Sequence, residues 1–172
     1  MTHILIQTEY GDIAVALYPE QAPLTVANFL RYVAAGFYTG GHFWRTVTLN
    51  PDNQPNNEIK IEVIQAGVAP ARVEQKFSPL PLEPTTLSGL RHVDGTISMA
   101  RFAPDSAQAD FFICIGEQPA LDFGGLRNPD GQGFAAFGQV TAGMEVVRRI
   151  NRAACSEQTL APPITIYTIT HL

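Results

Sequence analysis

Few side chains in this sequence are placed to do chemistry, and the first that stands out is an arginine inside a strand-like run. Arg45 lies within residues 43–49, which are rich in the aromatic and β-branched side chains typical of strands. An arginine there either faces solvent or is paired with a neighbour, and the local pattern leaves both open. Its guanidinium is always charged and can donate hydrogen bonds to a substrate. The second feature is an aromatic pair, Phe111-Phe112, in another short apolar run.

The remaining side chains argue against metal, nucleotide and covalent chemistry. The histidines are His3, His42, His92 and His171. They show no H-x-x-x-H spacing, and the cysteines form no C-x-x-C pair. The sequence also lacks a G-x-S-x-G elbow, a Walker loop and a G-x-G-x-x-G motif. Cys114 lies in an apolar run, which disfavours a reactive thiolate. We therefore expect no bound metal and no cofactor.

Composition and charge exclude further classes of function. The chain has 172 residues, 45% hydrophobic and 16% charged, which suits one domain over residues 1–172. Eleven Lys and Arg against sixteen Asp and Glu give a net charge of −5, which disfavours nucleic-acid binding. No apolar stretch reaches the roughly 18 residues that span a bilayer, so we expect no membrane partner. The amino terminus lacks a signal-peptide pattern. We expect a cytoplasmic monomer, or a periplasmic protein if a signal peptide has been removed.

Alternation of apolar and polar residues predicts a series of short strands. Residues 4–8 and 13–18 flank the turn residues 9–12 and predict a β-hairpin. Further strands are predicted over residues 43–49, 59–64, 95–100, 111–115, 135–140 and 164–169. The segment from residue 66 to 90 contains several prolines and shows no clear period, so it is predicted to be irregular.

Two segments change to the period of a helix. An apolar stripe at helical spacing is formed by Val26, Phe29, Leu30 and Val33. It predicts a helix over residues 23–35, with Pro23 in the first turn and Gly36 just past the end. A second, shorter helix is indicated by Met144, Val147 and Ile150. Seven or eight strands that do not alternate regularly with helices favour a closed antiparallel barrel with helices capping its ends.

The order of several motifs resembles the cyclophilin family over nearly the whole chain. The matching segments are GDI at residues 11–13, APLTVANF at 22–29, GFY at 36–38, FWR at 43–45, IQAG at 64–67, GTISMA at 95–100, ADFFI at 109–113, LD at 121–122 and FGQVTAGMEVV at 137–147. The resemblance implies a mostly β fold, a closed eight-stranded antiparallel barrel with one α-helix over each open end. It also implies peptidyl-prolyl cis-trans isomerase activity on proline-containing peptides and on unfolded or folding proteins.

The resemblance further implies the residues of the site. Arg45 matches the family's catalytic arginine, and Gln65 matches the glutamine on the next strand. Substrate-binding positions are implied at Glu62, Val63, Ala100, Arg101, Asp110, Phe112, Leu121 and Phe134. Of these, Phe112, Val63, Leu121 and Phe134 are expected to line an apolar slot for the proline ring, and the backbone near Ala100 and Arg101 is expected to bind the peptide.

Some matched positions differ from the family pattern. Glu62 replaces a phenylalanine beside the proline slot, Asp110 replaces a glutamine, and Ala120 replaces a common tryptophan. The loop between Arg45 and Gln65 is longer than usual. An unpaired carboxylate in an apolar pocket is costly, so Glu62 is expected to pair with an arginine. The alternative is that Glu62 faces outward while Val63 lines the slot.

These observations favour a working prolyl isomerase in which Arg45 stabilises a twisted amide. Two alternatives remain open. The substituted positions are compatible with a cyclophilin-fold module that binds peptides or proteins with little or no isomerase activity. The second alternative is that the chain is a β-barrel protein unrelated to the cyclophilins.

Overall fold

Nine strands and three α-helices make up the regular structure of the computed structural model, which describes residues 1–172. The strands are β1 (Thr2–Thr8), β2 (Gly11–Leu17), β3 (His42–Val47), β4 (Val63–Gly67), β5 (Thr96–Met99), β6 (Phe111–Cys114), β7 (Ala136–Ala142), β8 (Cys155–Ser156) and β9 (Thr159–His171). The helices are α1 (Pro23–Ala34), α2 (Thr85–Ser88) and α3 (Met144–Asn151), with 3-10 helices at Pro70–Gln75 and Pro119–Leu121.

Eight of the strands close into a barrel. They run in the order β1-β2-β7-β5-β6-β4-β3-β9, and β9 pairs again with β1, so the barrel has no free edge. Every pairing is antiparallel. The short β8 pairs only with β9 and forms a small hairpin on the outside of this ring. The predicted eight-stranded antiparallel barrel is confirmed.

Alternation along the strands divides the apolar side chains between two clusters. In β4, Ile64 and Ala66 belong to the main core, and in β6, Phe111 and Ile113 do the same. Their sequence neighbours point to the other face of the barrel wall, where a smaller cluster is formed by Val47, Ile61, Val63, Phe112, Cys114 and Leu121. The outer face of these strands is therefore apolar over one patch.

Both predicted helices add buried side chains to the main core. From α1, Val26, Phe29 and Tyr32 are buried, and the Phe29 ring meets the Phe111 ring edge-on with centroids 5.6 Å apart. From α3, Val146, Val147 and Ile150 are buried. Pro23 occupies the first turn of α1, as its missing N–H predicts.

The structure differs from the sequence prediction where the chain leaves regular alternation. The strand predicted over residues 59–64 begins only at Val63, because the preceding residues form a loop held by side-chain hydrogen bonds. The final strand starts at Thr159 rather than at 164. Two prolines lie near its start, and the β3–β9 register shifts beside them. The short α2 and β8 were not predicted.

Candidate active site

A row of directly paired residues crosses the outer face of the barrel wall. Arg45 on β3 pairs with Gln65 on β4, and Gln65 pairs with Phe112 on β6. Phe112 pairs in turn with Ser98 on β5. Directly paired residues on one face of a sheet bring their side chains together. The ladder register therefore sets a cation, an amide and an aromatic ring side by side, although they are far apart in sequence.

The Arg45 guanidinium is held by two neutral amides. Nη1 donates to Gln65 Oε1 at 2.9 Å, while Nε and Nη2 donate to Gln158 Oε1 at 3.0 and 2.8 Å. No carboxylate lies within ion-pair distance of it. Burial lowers the pKa of Arg45 from its usual value, yet an arginine remains charged at any working pH. These contacts use three of its five N–H groups, so two are free for a substrate.

Gln65 is itself fixed from its other end. Its Nε2 donates to Asp110 Oδ2 at 3.0 Å, and the same carboxylate oxygen accepts a hydrogen bond from Trp44 Nε1 at 3.0 Å. Because Asp110 accepts the amide N–H, the Gln65 oxygen must face Arg45. Asp110 lies against Gly67, where a Cβ would come within 2.6 Å of its carboxylate. The glycine at this position therefore leaves room for the carboxylate.

An apolar slot lies beside Arg45. Phe112 is 5% exposed and meets the Phe134 ring edge-on, with centroids 5.6 Å apart. The slot opens into a cavity of about 540 Å³. Its apolar lining includes Ile61, Val63, Ala100, Phe112, Leu121 and Phe134. A small hydrocarbon ring has an apolar receptor here, directly next to a fixed cation.

A Ser–His–Asp arrangement supports the floor of the slot. His92 Nε2 lies 2.8 Å from Ser98 Oγ, and His92 Nδ1 lies 2.7 Å from Asp122 Oδ1. The imidazole stacks on the Phe112 ring with centroids 6.0 Å apart. Ser98 is 0% exposed, so no substrate carbonyl can reach its hydroxyl. The three groups satisfy one another and hold Phe112 from behind.

The arrangement suits a reaction that needs neither a nucleophile nor a metal ion. The cavity presents a fixed guanidinium, a polar rim and an apolar slot. Burial raises the pKa of the Cys114 thiol well above its usual value, which leaves that side chain inert. No group of three or more His, Cys, Asp or Glu side chains is placed to hold a metal.

Comparison with known proteins decides the family. The family described as cyclophilin type peptidyl-prolyl cis-trans isomerase/CLD matches residues 3–171. The chain belongs to this family. It is 37% identical to peptidyl-prolyl cis-trans isomerase A of Dickeya dadantii, over 88% of this chain and 72% of that protein. It is 34% identical to peptidyl-prolyl cis-trans isomerase B of Escherichia coli, over 88% of this chain and 85% of that one.

Solved structures agree on the fold. A cyclophilin type peptidyl-prolyl cis-trans isomerase of Cryptosporidium parvum superposes with a TM-score of 0.77 over 99% of this chain and 97% of that one, at 22% identity. A second crystal structure of that cyclophilin, obtained in the presence of the dipeptide Ala-Pro, superposes with a TM-score of 0.75. At this level of identity the likeness establishes the barrel and not the role of any residue.

The cavity of this cyclophilin brings together the residues implied by the resemblance, with one exception. Its lining includes Arg45, Val63, Gln65, Ala100, Arg101, Asp110, Phe112, Leu121 and Phe134. Glu62 does not line it. Strand-like alternation turns Ile61 and Val63 toward the slot and Glu62 away from it.

Glu62 also lacks the arginine partner expected for it. Its carboxylate accepts a hydrogen bond from the Leu49 backbone N–H at 3.4 Å, and it forms no ion pair. Because the Glu62 side chain is not buried in the slot, its carboxylate is not desolvated there and needs no arginine to balance its charge. Glu62 faces outward, as the alternative expectation stated, and Ile61 lines the apolar slot.

Gln158 is one of the site residues that sequence reasoning missed. It lies 113 positions from Arg45 and reaches it from the loop between β8 and β9. Its Nε2 donates to the Asn53 backbone oxygen at 3.1 Å, so its own oxygen faces the guanidinium. Asn53 in turn donates from Nδ2 to the Thr46 and Glu157 backbone oxygens at 2.9 and 3.1 Å. A two-residue strand gives no recognisable pattern that would have located this side chain.

The long loop between β3 and β4 holds a further arginine, Arg127, at the cavity. Gln54 is 2% exposed and bonds to backbone groups of Thr48 and Ile61 on both sides of the loop. Its Oε1 accepts a hydrogen bond from Arg127 Nη1 at 2.6 Å, and the Ile59 backbone oxygen accepts another at 2.7 Å. Arg127 comes from the loop of residues 124–133, and nothing in its local sequence marked it.

Arg101 fixes that loop and is not available as a free charge. Its guanidinium pairs with both carboxylate oxygens of Asp130 at 2.8 and 2.9 Å and also donates to the Gly133 backbone oxygen. The side chain is 1% exposed and lies over the Phe134 ring, 4.8 Å from its centroid. Arg101 therefore holds Phe134 against the slot.

Proposed function

We propose that this cyclophilin catalyses cis-trans isomerisation of X-Pro peptide bonds, with Arg45 as its catalytic residue. The observation that carries the proposal is the position of the Arg45 guanidinium, fixed by two neutral amides at the edge of an apolar slot. The proline ring enters the slot formed around Phe112. The amide on its amino-terminal side then lies against Arg45.

Isomerisation needs a stabilised twisted amide and no broken bond. Amide resonance sets a barrier of about 18–20 kcal/mol to rotation. As the bond twists, the nitrogen lone pair leaves the π-system and becomes a hydrogen-bond acceptor. The two free N–H groups of Arg45 can donate to this nitrogen or to the neighbouring carbonyl oxygen. Such donation favours the twisted state over both planar states, which is the requirement for catalysis.

The surroundings of Arg45 strengthen this contact. Phe112, Phe134 and Leu121 exclude water from the proline ring, and a charged hydrogen bond gains strength where water is excluded. Gln65 and Gln158 hold the guanidinium before substrate arrives, so little reorganisation is needed during rotation. An acceleration of 10³–10⁵-fold corresponds to about 4–7 kcal/mol, which one charged donor and preorganisation can supply.

The substrates proposed here are proline-containing segments of peptides and of unfolded or folding proteins. One closed barrel, with its site on the outer wall, supports the proposal that residues 1–172 act as a single domain. No helix of the chain has the length and hydropathy needed to cross a bilayer. A monomeric state and a cytoplasmic location stay predictions.

Exchange NMR on a panel of X-Pro peptides tests the proposal, because it measures rotation directly without a coupled protease. Uncatalysed cis-trans exchange takes about tens to hundreds of seconds. We expect micromolar protein to make this exchange measurably faster. Bovine serum albumin at equal concentration is the control for nonspecific effects. Peptide binding with an unchanged exchange rate would contradict the proposal and would indicate a binding module instead.

A further inference from the structure

The cavity carries a positive charge that the rest of the chain does not. Its charged lining residues are Arg45, Lys76, Arg101, Arg127 and Asp110. Arg101 is neutralised by Asp130, but Arg45, Lys76 and Arg127 have no carboxylate within ion-pair distance. Three unpaired cations thus face one carboxylate, in a chain whose net charge is −5.

The single carboxylate of the lining is already engaged. Asp110 Oδ2 accepts hydrogen bonds from Trp44 Nε1 and Gln65 Nε2, both at 3.0 Å. It serves the orientation of Gln65 and forms no ion pair with the cavity's cations. Because both donors are neutral, the carboxylate keeps its charge, but it offsets only one of the three unpaired cations, so the cavity keeps an excess of positive charge toward whatever fills it.

Of these three cations, Arg127 has the surroundings that point most clearly to a bound anion. Its recorded acceptors, the Gln54 side-chain oxygen and the Ile59 backbone oxygen, are both neutral. Burial, and then the charge of Arg45, lowers the pKa of Arg127 from its usual value. A partly desolvated guanidinium near a like charge is relieved by an anion, because an anion supplies the missing attraction.

We propose that this cyclophilin prefers X-Pro segments that carry a carboxylate within two residues of the proline, and that Arg127 recognises this carboxylate. The inference rests on the proposed function, since it names the substrate class of the same site. Arg45 acts on the rotating amide, and the neighbouring Arg127 meets a side chain further along the bound peptide. Lys76 adds to the attraction from another part of the cavity wall.

The charge of the whole chain makes this preference selective. Outside the cavity the surface is acidic on balance, so an acidic peptide is repelled elsewhere and attracted only at the site. A basic peptide is attracted to the rest of the surface and repelled at the site. Because the attraction is electrostatic between partly exposed groups, added salt weakens it.

The test uses proline peptides that differ in one residue, with Glu, Gln or Lys placed one or two residues before or after the proline. Affinity is measured by NMR titration and turnover by exchange NMR, each with the parent protein and with Arg127→Gln. In at least one position the Glu peptide should bind about fivefold or more tightly than its Lys counterpart, with Gln between them. Raising salt from about 20 mM to about 0.5 M should shrink this difference.

Arg127→Gln should remove most of the preference, which is measured within each protein as the ratio of the Glu-peptide and Lys-peptide affinities, so that any general change in peptide affinity cancels. The matched control is Arg152→Gln, which removes the same charge from an exposed side chain outside the cavity. It should keep the full preference. Folding of both variants is checked by circular dichroism and thermal unfolding.

The outcomes separate this inference from the proposed function. Equal affinity for the Glu and Lys peptides, or a preference that persists in Arg127→Gln, would overturn the inference even if every peptide is isomerised. A clear Glu preference in binding that Arg127→Gln removes would support it even if no peptide is isomerised. In that second case the proposed isomerase activity fails and acidic-peptide recognition stands.

Discussion

The hydrogen-bond partners of Arg45 are neutral amides, and their neutrality affects what the guanidinium can do. A carboxylate would hold the guanidinium more tightly but would also cancel the charge that a twisted amide needs. The side-chain oxygens of Gln65 and Gln158 orient it through three hydrogen bonds and leave its charge intact. The guanidinium is therefore held in position without losing its charge. Each glutamine is fixed in turn because its amide N–H donates to a further acceptor, Asp110 for Gln65 and the Asn53 backbone oxygen for Gln158.

Gln158 is expected to act as a positioning residue. Gln158→Leu removes the acceptor for Nε and Nη2 of Arg45, and a hydrogen bond to a charged group contributes about 1.5–3 kcal/mol. We expect kcat to fall roughly tenfold while KM changes by less than about threefold, because peptide binding depends mainly on the slot. Exposed Gln21→Leu is the control. An unchanged kcat in a folded Gln158→Leu protein would remove Gln158 from the mechanism.

Glu62 is expected to be dispensable for turnover. Its side chain lies outside the cavity, and its recorded contact is with the Leu49 backbone N–H. Both Glu62→Gln and Glu62→Phe should therefore leave kcat/KM within about twofold of the parent, as for surface substitutions elsewhere. Exchange NMR measures this directly. A large change in either variant would show that Glu62 reaches the substrate.

At the scale of elements, the long loop between β3 and β4 acts as a scaffold for the cavity. Gln54 ties the two sides of the loop together and also accepts a hydrogen bond from Arg127. Asn53 supports Gln158 from the same loop. Through Gln54 and Asn53, this loop thus connects to both arginines that line the cavity without an ion pair.

Removing the Gln54 side chain should destabilise this loop. Gln54→Ala leaves the backbone N–H and C=O of buried Ile61 without partners, and each unmet group costs about 1–3 kcal/mol. We expect the free energy of unfolding, measured by urea titration, to fall by about 2 kcal/mol or more. Gln21→Ala, at an exposed position, should leave it nearly unchanged. Equal stability of the two variants would show that the loop does not depend on Gln54.

Elements with strict alternation could be predicted from the sequence, and elements that depend on distant partners could not. The hairpin of β1 and β2 and the helices α1 and α3 follow from local periodicity and lie close to their predicted bounds. The start of β9 was missed because Pro162 and Pro163 interrupt its pattern beside a register shift. Alternation still holds before β4, which is why Ile61 and not Glu62 faces the slot.

The site residues divide in the same way, into those that the local sequence predicts and those that depend on distant partners. Arg45, Gln65 and Phe112 lie on strands whose motifs resembled a known family, so their positions could be anticipated. Gln158 and Arg127 act across 113 and 73 positions, from a two-residue loop and from the loop of residues 124–133. A contact over such separations is set by the tertiary fold, and neither segment has a periodicity that reports it.

For the whole molecule, the proposed site and the main core lie on opposite faces of the same barrel wall. The main core lies inside, with Phe111, Ile113 and Ile64, and the site lies outside on their sequence neighbours. Substitutions on the outer row can therefore change chemistry while the inner core stays packed. This separation makes loss of activity interpretable as long as unfolding is measured alongside.

Acid should release the segment that carries Arg127. The hydrogen bonds from Arg101, followed by one from the Gln132 backbone N–H, hold the pKa of Asp130 below its usual value. A folded-state pKa below the unfolded value of about 3.9 stabilises the protein above that pH, and the contribution is lost as the pH falls through the folded value. Asp130→Asn should lower Tm at neutral pH, and the difference from the parent should vanish at strongly acid pH.

Thermal unfolding of parent and variant across a pH series measures this effect. The control is Asp12→Asn, which changes an exposed carboxylate with no recorded ion pair. Its Tm difference should be small throughout. A Tm difference for Asp130→Asn that stays constant from neutral to acid pH would argue against a stabilising charge on Asp130.

The role of Arg45 is tested most directly by comparing parent, Arg45→Lys and Arg45→Ala in exchange NMR on one X-Pro peptide. Removal of a single preorganised donor costs about 2.7–4 kcal/mol, so Arg45→Ala should lower kcat/KM by about 10²-fold or more. Arg45→Lys keeps the charge but loses the planar fork held by Gln65 and Gln158, so it should recover little of the rate. Unfolding should be cooperative in all three proteins. A folded Arg45→Ala protein that isomerises the peptide as fast as the parent would contradict the mechanism.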